Sequence, residues 1–247
     1  QQEAKKAEEE VLQFKPMQAA IKAPHFVEYV KDLLIERYGL TMLERGGLNV
    51  YTSLDMTLQD TAQKIVADEV AKAAYLHVTN GASVVTDPRN GDILAMIGSK
   101  DFNDPNGGKV NLATAHRQPG STVKVITYSA ALENGFTAAS ILDDSPITFP
   151  NPGGTPYTPV NYDGRHYGRV PLRFALSNSL NIPAVKTLNQ IGIPTMVTLA
   201  QNMGITSWTD PKNYGLSVTL GGAETTMLDM STVFGTLAYE GKRTDLN

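Results

Sequence analysis

Gln118-Pro119-Gly120-Ser121-Thr122-Val123-Lys124 is followed at once by an apolar run, Val125 to Leu132. Three residues are nearly one helical turn, so the Ser121 hydroxyl and the Lys124 amine are expected on one face. Pro119-Gly120 breaks the chain just before the serine, which predicts that Ser121 opens the helix. A serine is a weak nucleophile until a base lies within hydrogen-bond reach. A lysine one turn away can be that base if burial lowers its pKa. The positive end of a helix also suits a site that must stabilise an oxyanion. Taken alone, Ser-x-x-Lys is equally an ordinary helix start, with Ser at the N-cap and Lys in the first turn.

Working outward, Leu176-Ser177-Asn178-Ser179-Leu180-Asn181-Ile182-Pro183 carries a second short pattern, Ser179-x-Asn181, between two helical segments. A hydroxyl and a carboxamide two residues apart on a loop can enter one cleft. The hydroxyl can relay a proton, and the amide can grip a peptide group with its donor and acceptor. Ser and Asn are also common capping residues, and Pro183 is a natural helix start.

The surrounding chain sets these patterns in a mixed architecture. Pro24 to Tyr38 reads as a helix with Phe26, Val30, Leu33 and Leu34 on one stripe, stopped at Gly39. Leu48 to Thr52 alternates like a strand. Asp55 caps a helix running to about His77, with Leu58, Ala62, Ile65, Val66 and Val70 as its buried stripe. Two β-rich runs, Ala82 to Asp87 and Asp92 to Gly98, flank Pro88-Arg89-Asn90-Gly91, a hairpin signal. Loop-rich stretches cover Asp101 to Lys109 and Asp143 to Tyr167. Helices are expected over Pro171–Ser177, Pro183–Ile191, Pro194–Met203 and Thr225–Glu240, the last with Thr226 and Asp229 as a capping box. Gly221-Gly222 reads as close backbone packing or a tight turn.

The chain has 247 residues, 41% of them hydrophobic and 19% charged, enough for a real core. A net charge of −4 offers no electrostatic case for nucleic acid. No apolar run is long enough to cross a membrane. Cysteine is absent, which removes disulfides and thiol catalysis from this sequence and fits an oxidising, extracytoplasmic compartment. The four histidines, His25, His77, His116 and His166, lack metal-ligand spacing, and no Asp is evidently placed to make a triad of His116 and Ser121.

Together the patterns resemble a known family. Arg117-Gln118-Pro119-Gly120-Ser121-Thr122-Val123-Lys124 is similar to the active-site serine region of bifunctional (class A) penicillin-binding proteins. Asn161 to Val185 resembles their second-motif region, and Tyr214 to Met230 the segment that follows it. Ala82 to Gly98 looks like the opening hairpin of the same transpeptidase domain. The resemblance covers about Gly47 to Gly241. It implies the serine β-lactamase-like α/β (α+β) fold, an antiparallel sheet flanked by helices. It divides the chain into a helical linker over 1–46, a strand and helix over 47–80, and an incomplete transpeptidase domain over 81–247.

By the same resemblance, Ser121 attacks the carbonyl of a D-Ala-D-Ala stem peptide, and Lys124 is its general base. Ser179 passes the proton to the departing D-Ala, and Asn181 binds the donor peptide. β-Lactams acylate the same serine, the final step is a cross-link or a hydrolysis, and no metal or organic cofactor is implied. The family's third motif, Lys-Thr-Gly, is not found. Lys242-Arg243-Thr244 lacks the glycine. That motif is expected on a C-terminal strand, supplied by a companion chain or cut away, so these residues alone should acylate poorly. A peptidoglycan glycosyltransferase domain and a membrane anchor are implied upstream, which places the chain at the extracytoplasmic face of a bacterial membrane. Two rival readings are a β-lactamase-like hydrolase and a non-catalytic domain that binds cell-wall peptides or a partner protein.

Overall fold

The computed structural model describes residues 21–150 and 154–247, so the first 20 residues of the helical linker expected over 1–46 lie outside the described residues. Helices α1 (Pro24–Tyr38) and α2 (Leu40–Arg45) lead to α3 (Met56–Lys72), which a single 3₁₀ turn extends to Leu76. Asp55 caps α3 as expected, its carboxylate accepting from Thr57 N at 2.8 Å and Leu58 N at 3.0 Å. The hairpin β1 (Ser83–Thr86) and β2 (Ile93–Ile97) follows. It pairs Ser83 with Ile97 and Val85 with Ala95, then shifts register before Thr86.

Both faces of this hairpin are covered. Ala95 and Ile97 pack on Ala62 of α3, whereas Ile93 and Met96 pack on Phe26 of α1. The outer edge of β2 meets a side chain instead of a strand. The buried Gln59 amide donates to Met96 O at 3.1 Å and accepts from Met96 N at 2.8 Å. A carboxamide offers one donor and one acceptor side by side, so it satisfies the edge as a neighbouring strand would.

The remaining chain forms the helical half: α4 (Lys124–Glu133), α5 (Leu172–Ser177), α6 (Asn181–Ile191), α7 (Ile193–Met203) and α8 (Met227–Ala238). Their shared core contains Val123, Ile126, Leu188, Met196, Trp208 and Val233. Trp208 is thus a packing residue. A second hairpin, β3 (Ile141–Asp144) with β4 (Gly168–Pro171), packs Leu142 and Val170 against Tyr128 of α4 and Ala184 of α6. The Thr226 cap of α8 is present, Oγ1 accepting from Asp229 N at 3.0 Å. The Asp229 carboxylate does not reciprocate but accepts from Thr206 and Thr225.

Several expectations are corrected. Leu48 to Thr52 forms no strand; Val50 and Tyr51 are exposed, and among the described residues no strand pairs with this segment. Alternation alone does not satisfy backbone groups without a partner. Ile65 and Leu33 face solvent instead of the core; Ile65 lies at the margin of its helix's apolar stripe. β3 and β4 bracket the loop-rich stretch Asp143 to Tyr167, and their pairing is not legible in the sequence because each strand is only four residues long.

Candidate active site

Ser121 lies in a 3₁₀ turn, Gly120–Val123, and α4 begins one turn later at Lys124. The serine therefore precedes the α-helix instead of opening it. The turn demands a left-handed residue at its start, and Gly120 supplies φ 60°. Upstream, Arg117 N donates to Thr225 O at 2.9 Å and Thr225 N returns to Arg117 O at 3.0 Å. Ser121 is exposed, and among the described residues its side chain makes no hydrogen bond. His116 is exposed too, and its ring makes none.

Lys124 is the unusual group. It is 1% exposed, at the first position of α4. Its Nζ donates to Ser179 O at 2.6 Å, to Asn181 Oδ1 at 2.6 Å and to Ser179 Oγ at 3.1 Å. Among the described residues no acidic side chain neutralises it. Burial therefore acts unopposed and lowers its pKa from the usual 10.5 to about 8.

The local backbone explains how Ser179 and Asn181 both reach this amine. Helix α5 ends in a Schellman motif: Leu180 N donates to Ala175 O at 2.9 Å and Ser179 N to Leu176 O at 3.0 Å. Ser179 occupies the left-handed position of that motif, with φ 52°, where glycine is the usual choice. Leu180 is buried and anchors the turn in the core. Asn181 is the first residue of α6. Two adjacent helix ends thus present a carbonyl, a hydroxyl and a carboxamide to one lysine.

The four residues expected from sequence divide accordingly. Lys124, Ser179 and Asn181 are brought into direct contact, and Ser121 stands one turn before the lysine without a hydrogen bond to it. Two further groups went unnoticed in the sequence. Asn161, 4% exposed, donates to both Asp144 oxygens at 2.9 Å and accepts from Asn181 N at 2.8 Å. Thr127, one turn beyond Lys124, shares a 2.6 Å hydrogen bond with Thr219. No signal in the sequence marks either, since Asn161 sits in an Asn-Tyr-Asp-Gly stretch that reads as a turn.

The segment that carries these residues, 81–246, matches a family model described as penicillin binding protein transpeptidase domain. The chain belongs to the penicillin-binding protein transpeptidase family. It is 32% identical to penicillin-binding protein 2D of Bacillus subtilis over 97% of its own length, and 34% identical to penicillin-binding protein 1A of Neisseria meningitidis over 73%. It spans only 35% and 24% of those relatives. Among solved structures, penicillin-binding protein 1A of Haemophilus influenzae superposes with a TM-score of 0.79 over 95% of this chain at 21% identity, covering 49% of that chain. PonA1 of Mycobacterium tuberculosis in complex with penicillin V superposes with a TM-score of 0.74 over 92% at 25% identity, covering 61% of that chain. The expected transpeptidase fold is therefore present in this penicillin-binding domain, with helices and, among the described residues, two small antiparallel sheets in place of the single sheet expected. Among the described residues, no helix is long and apolar enough to cross a membrane.

Proposed function

We propose that this protein is a serine-type D,D-transpeptidase of peptidoglycan, working through an acyl-enzyme on Ser121. The observation that carries the reading is the Lys124 amine, desolvated and held by Ser179 and Asn181. At pH 7 roughly one lysine in ten is neutral at a pKa of about 8, against about one in three thousand at 10.5. A neutral amine has two N–H bonds and one lone pair. Ser179 O and Asn181 Oδ1 can only accept, so they take the two N–H groups. The lone pair is left for a third partner, the Ser179 hydroxyl in the free enzyme and the Ser121 hydroxyl in the reacting complex.

In the proposed sequence, Lys124 takes the Ser121 hydroxyl proton as the alkoxide forms its bond to the carbonyl carbon of the penultimate D-Ala. Catalytic hydrogen bonds are often loose in a free enzyme, so the absence of a Ser121–Lys124 bond here is compatible with this role. The Ser121 N–H supports the oxyanion. Collapse breaks the carbon–nitrogen bond, and Ser179 passes the proton from Lys124 to the departing D-Ala amine. An amine of a second stem peptide then attacks the acyl carbon and gives its proton to Lys124, and the bond to Ser121 breaks as that proton returns to the serine oxygen, which forms the cross-link; water in place of the amine gives carboxypeptidase hydrolysis. Asn181 holds the donor peptide. A β-lactam enters the same first step. In a polypeptide of the relatives' length, the reading places this domain outside a bacterial membrane, behind an anchor and a glycosyltransferase.

The test is an intact-mass spectrum with and without benzylpenicillin, on a polypeptide of the relatives' length and on its Ser121→Ala variant. One added penicillin mass on the first and none on the second is expected. A covalent adduct that persists in Ser121→Ala overturns the assignment.

A further inference from the structure

We propose that Asn161, clamped by Asp144, is the positioning residue of the second motif: it caps helix α6 from another loop and thereby fixes Asn181 and the Lys124 side chain. This rests on the reading of Lys124 as the base.

Helix α6 begins without a cap of its own, because Leu180 at its N-cap has no side-chain acceptor. The first N–H groups of a helix need external partners. Asn161 Oδ1 provides one, accepting from Asn181 N at 2.8 Å and Ile182 N at 3.3 Å. The preceding residue grips the Asn181 side chain, for Val160 O accepts from Asn181 Nδ2 at 2.8 Å. With Nδ2 so held, Oδ1 of Asn181 is turned to Lys124 Nζ at 2.6 Å. One dipeptide, Val160-Asn161, therefore sets both the backbone and the carboxamide of Asn181.

Asn161 has a single possible orientation. Its Nδ2 donates to Asp144 Oδ1 and Oδ2, each at 2.9 Å, and to Arg165 O at 2.8 Å. Rotating the amide would set its NH₂ against two helix N–H donors and its oxygen against a carboxylate. Asp144 is fully buried at the end of β3 and is itself held by Tyr167 N at 2.8 Å. Around this clamp stand Tyr128 on α4, whose hydroxyl is raised by burial and by Asp144, Asp143 paired with Lys186 of α6, and Arg165 on the loop. Asn161 touches no reacting atom, so its influence passes through Asn181.

The experiment uses four forms: wild type, Asn161→Ala, Asn161→Asp, and the double variant Asp144→Asn/Asn161→Asp. Three quantities are followed: the rate of acylation by benzylpenicillin against pH, the NMR titration of the Lys124 side chain without any β-lactam, and amide exchange at Ile182. Displacing a catalytic group by about an ångström costs on the order of a hundredfold, so Asn161→Ala should slow acylation by about tenfold to a hundredfold. Asn161→Asp alone sets two carboxylates together and should be slower still. The double variant restores one carboxylate and one amide in exchanged places. It should recover most of the rate and slow exchange at Ile182, while Lys124 titrates at higher pH, because the negative charge now lies one link nearer. Equal rates, pH profiles and Lys124 titrations for wild type and Asn161→Ala would overturn the clamp. So would a double variant no faster than Asn161→Asp. A wild type that never acylates would refute the enzyme reading alone, since the Lys124 titration and the Ile182 exchange still report on the clamp.

Discussion

Gly221 lies against the backbone of Gly120, the residue that precedes Ser121. A Cβ on Gly221 would overlap the N, Cα and O atoms of Gly120, and both residues have positive φ, 83° and 60°. The turn that carries Ser121 thus rests on a glycine-to-glycine contact.

Gly221→Ala should therefore displace that turn and destabilise the protein by about 1–3 kcal/mol, through backbone strain and overpacking. Gly135→Ala is the control, since Gly135 also has positive φ, 88°, but meets nothing within 4 Å. Thermal melts of both variants measure the difference, and acylation should be slowed only by Gly221→Ala. Equal behaviour of the two would show that the contact does not position Ser121.

Acylation should follow the deprotonation of Lys124. With the amine at about 8, the second-order rate should rise about tenfold per pH unit from pH 6 to 7.5 and level off above 8. A penicillin progress curve at each pH measures it. A rate already flat at pH 6 would contradict the lysine as base.

The same shift has a stability consequence. Lys124 titrates at about 8 when folded and at the ordinary 10.5 when unfolded. Below pH 8 both states are protonated, and the folded state carries the full cost of a buried charge. Between pH 8 and 10.5 the unfolded state binds more protons, so this group makes stability rise with pH, by up to about 3 kcal/mol. Tyr128, raised by burial, opposes this once pH exceeds 10, where the unfolded tyrosine ionises first. Denaturant unfolding at pH 7 and pH 9.5, with Lys124→Met as reference, should show the rise in the wild type and its loss in the variant.

Ser179 holds a left-handed conformation at a position that favours glycine. Ser179→Gly should match or exceed the wild-type stability, by up to about 1 kcal/mol, while Ser179→Ala should not. Both remove the hydroxyl facing Lys124 and should slow acylation. Melting temperatures and acylation rates of the pair measure this, and rapid acylation by either would remove Ser179 from the proton path.

Where a signal was local, the sequence carried it. The Asp55 and Thr226 caps, the Asn90-Gly91 hairpin and the helices after Pro171 each depend on residues within a few positions of one another. Gly221-Gly222 reads in the sequence as close packing or a tight turn, and its partner, Gly120, is not legible there. The strand expected at Leu48 to Thr52 failed because its local alternation found no partner among the described residues.

By itself, the sequence determined the elements and the two short patterns, Ser121-x-x-Lys124 and Ser179-x-Asn181, because periodicity, caps and turn residues act over a single turn of chain. Only the tertiary structure decided what those residues do to one another. Lys124 lies 55 residues from Ser179 and 57 from Asn181, and its lowered pKa comes from the burial that their meeting creates. Asn161 and Asp144 acquire their place in the same way, since desolvation and hydrogen-bond complementarity arise only when distant segments pack together.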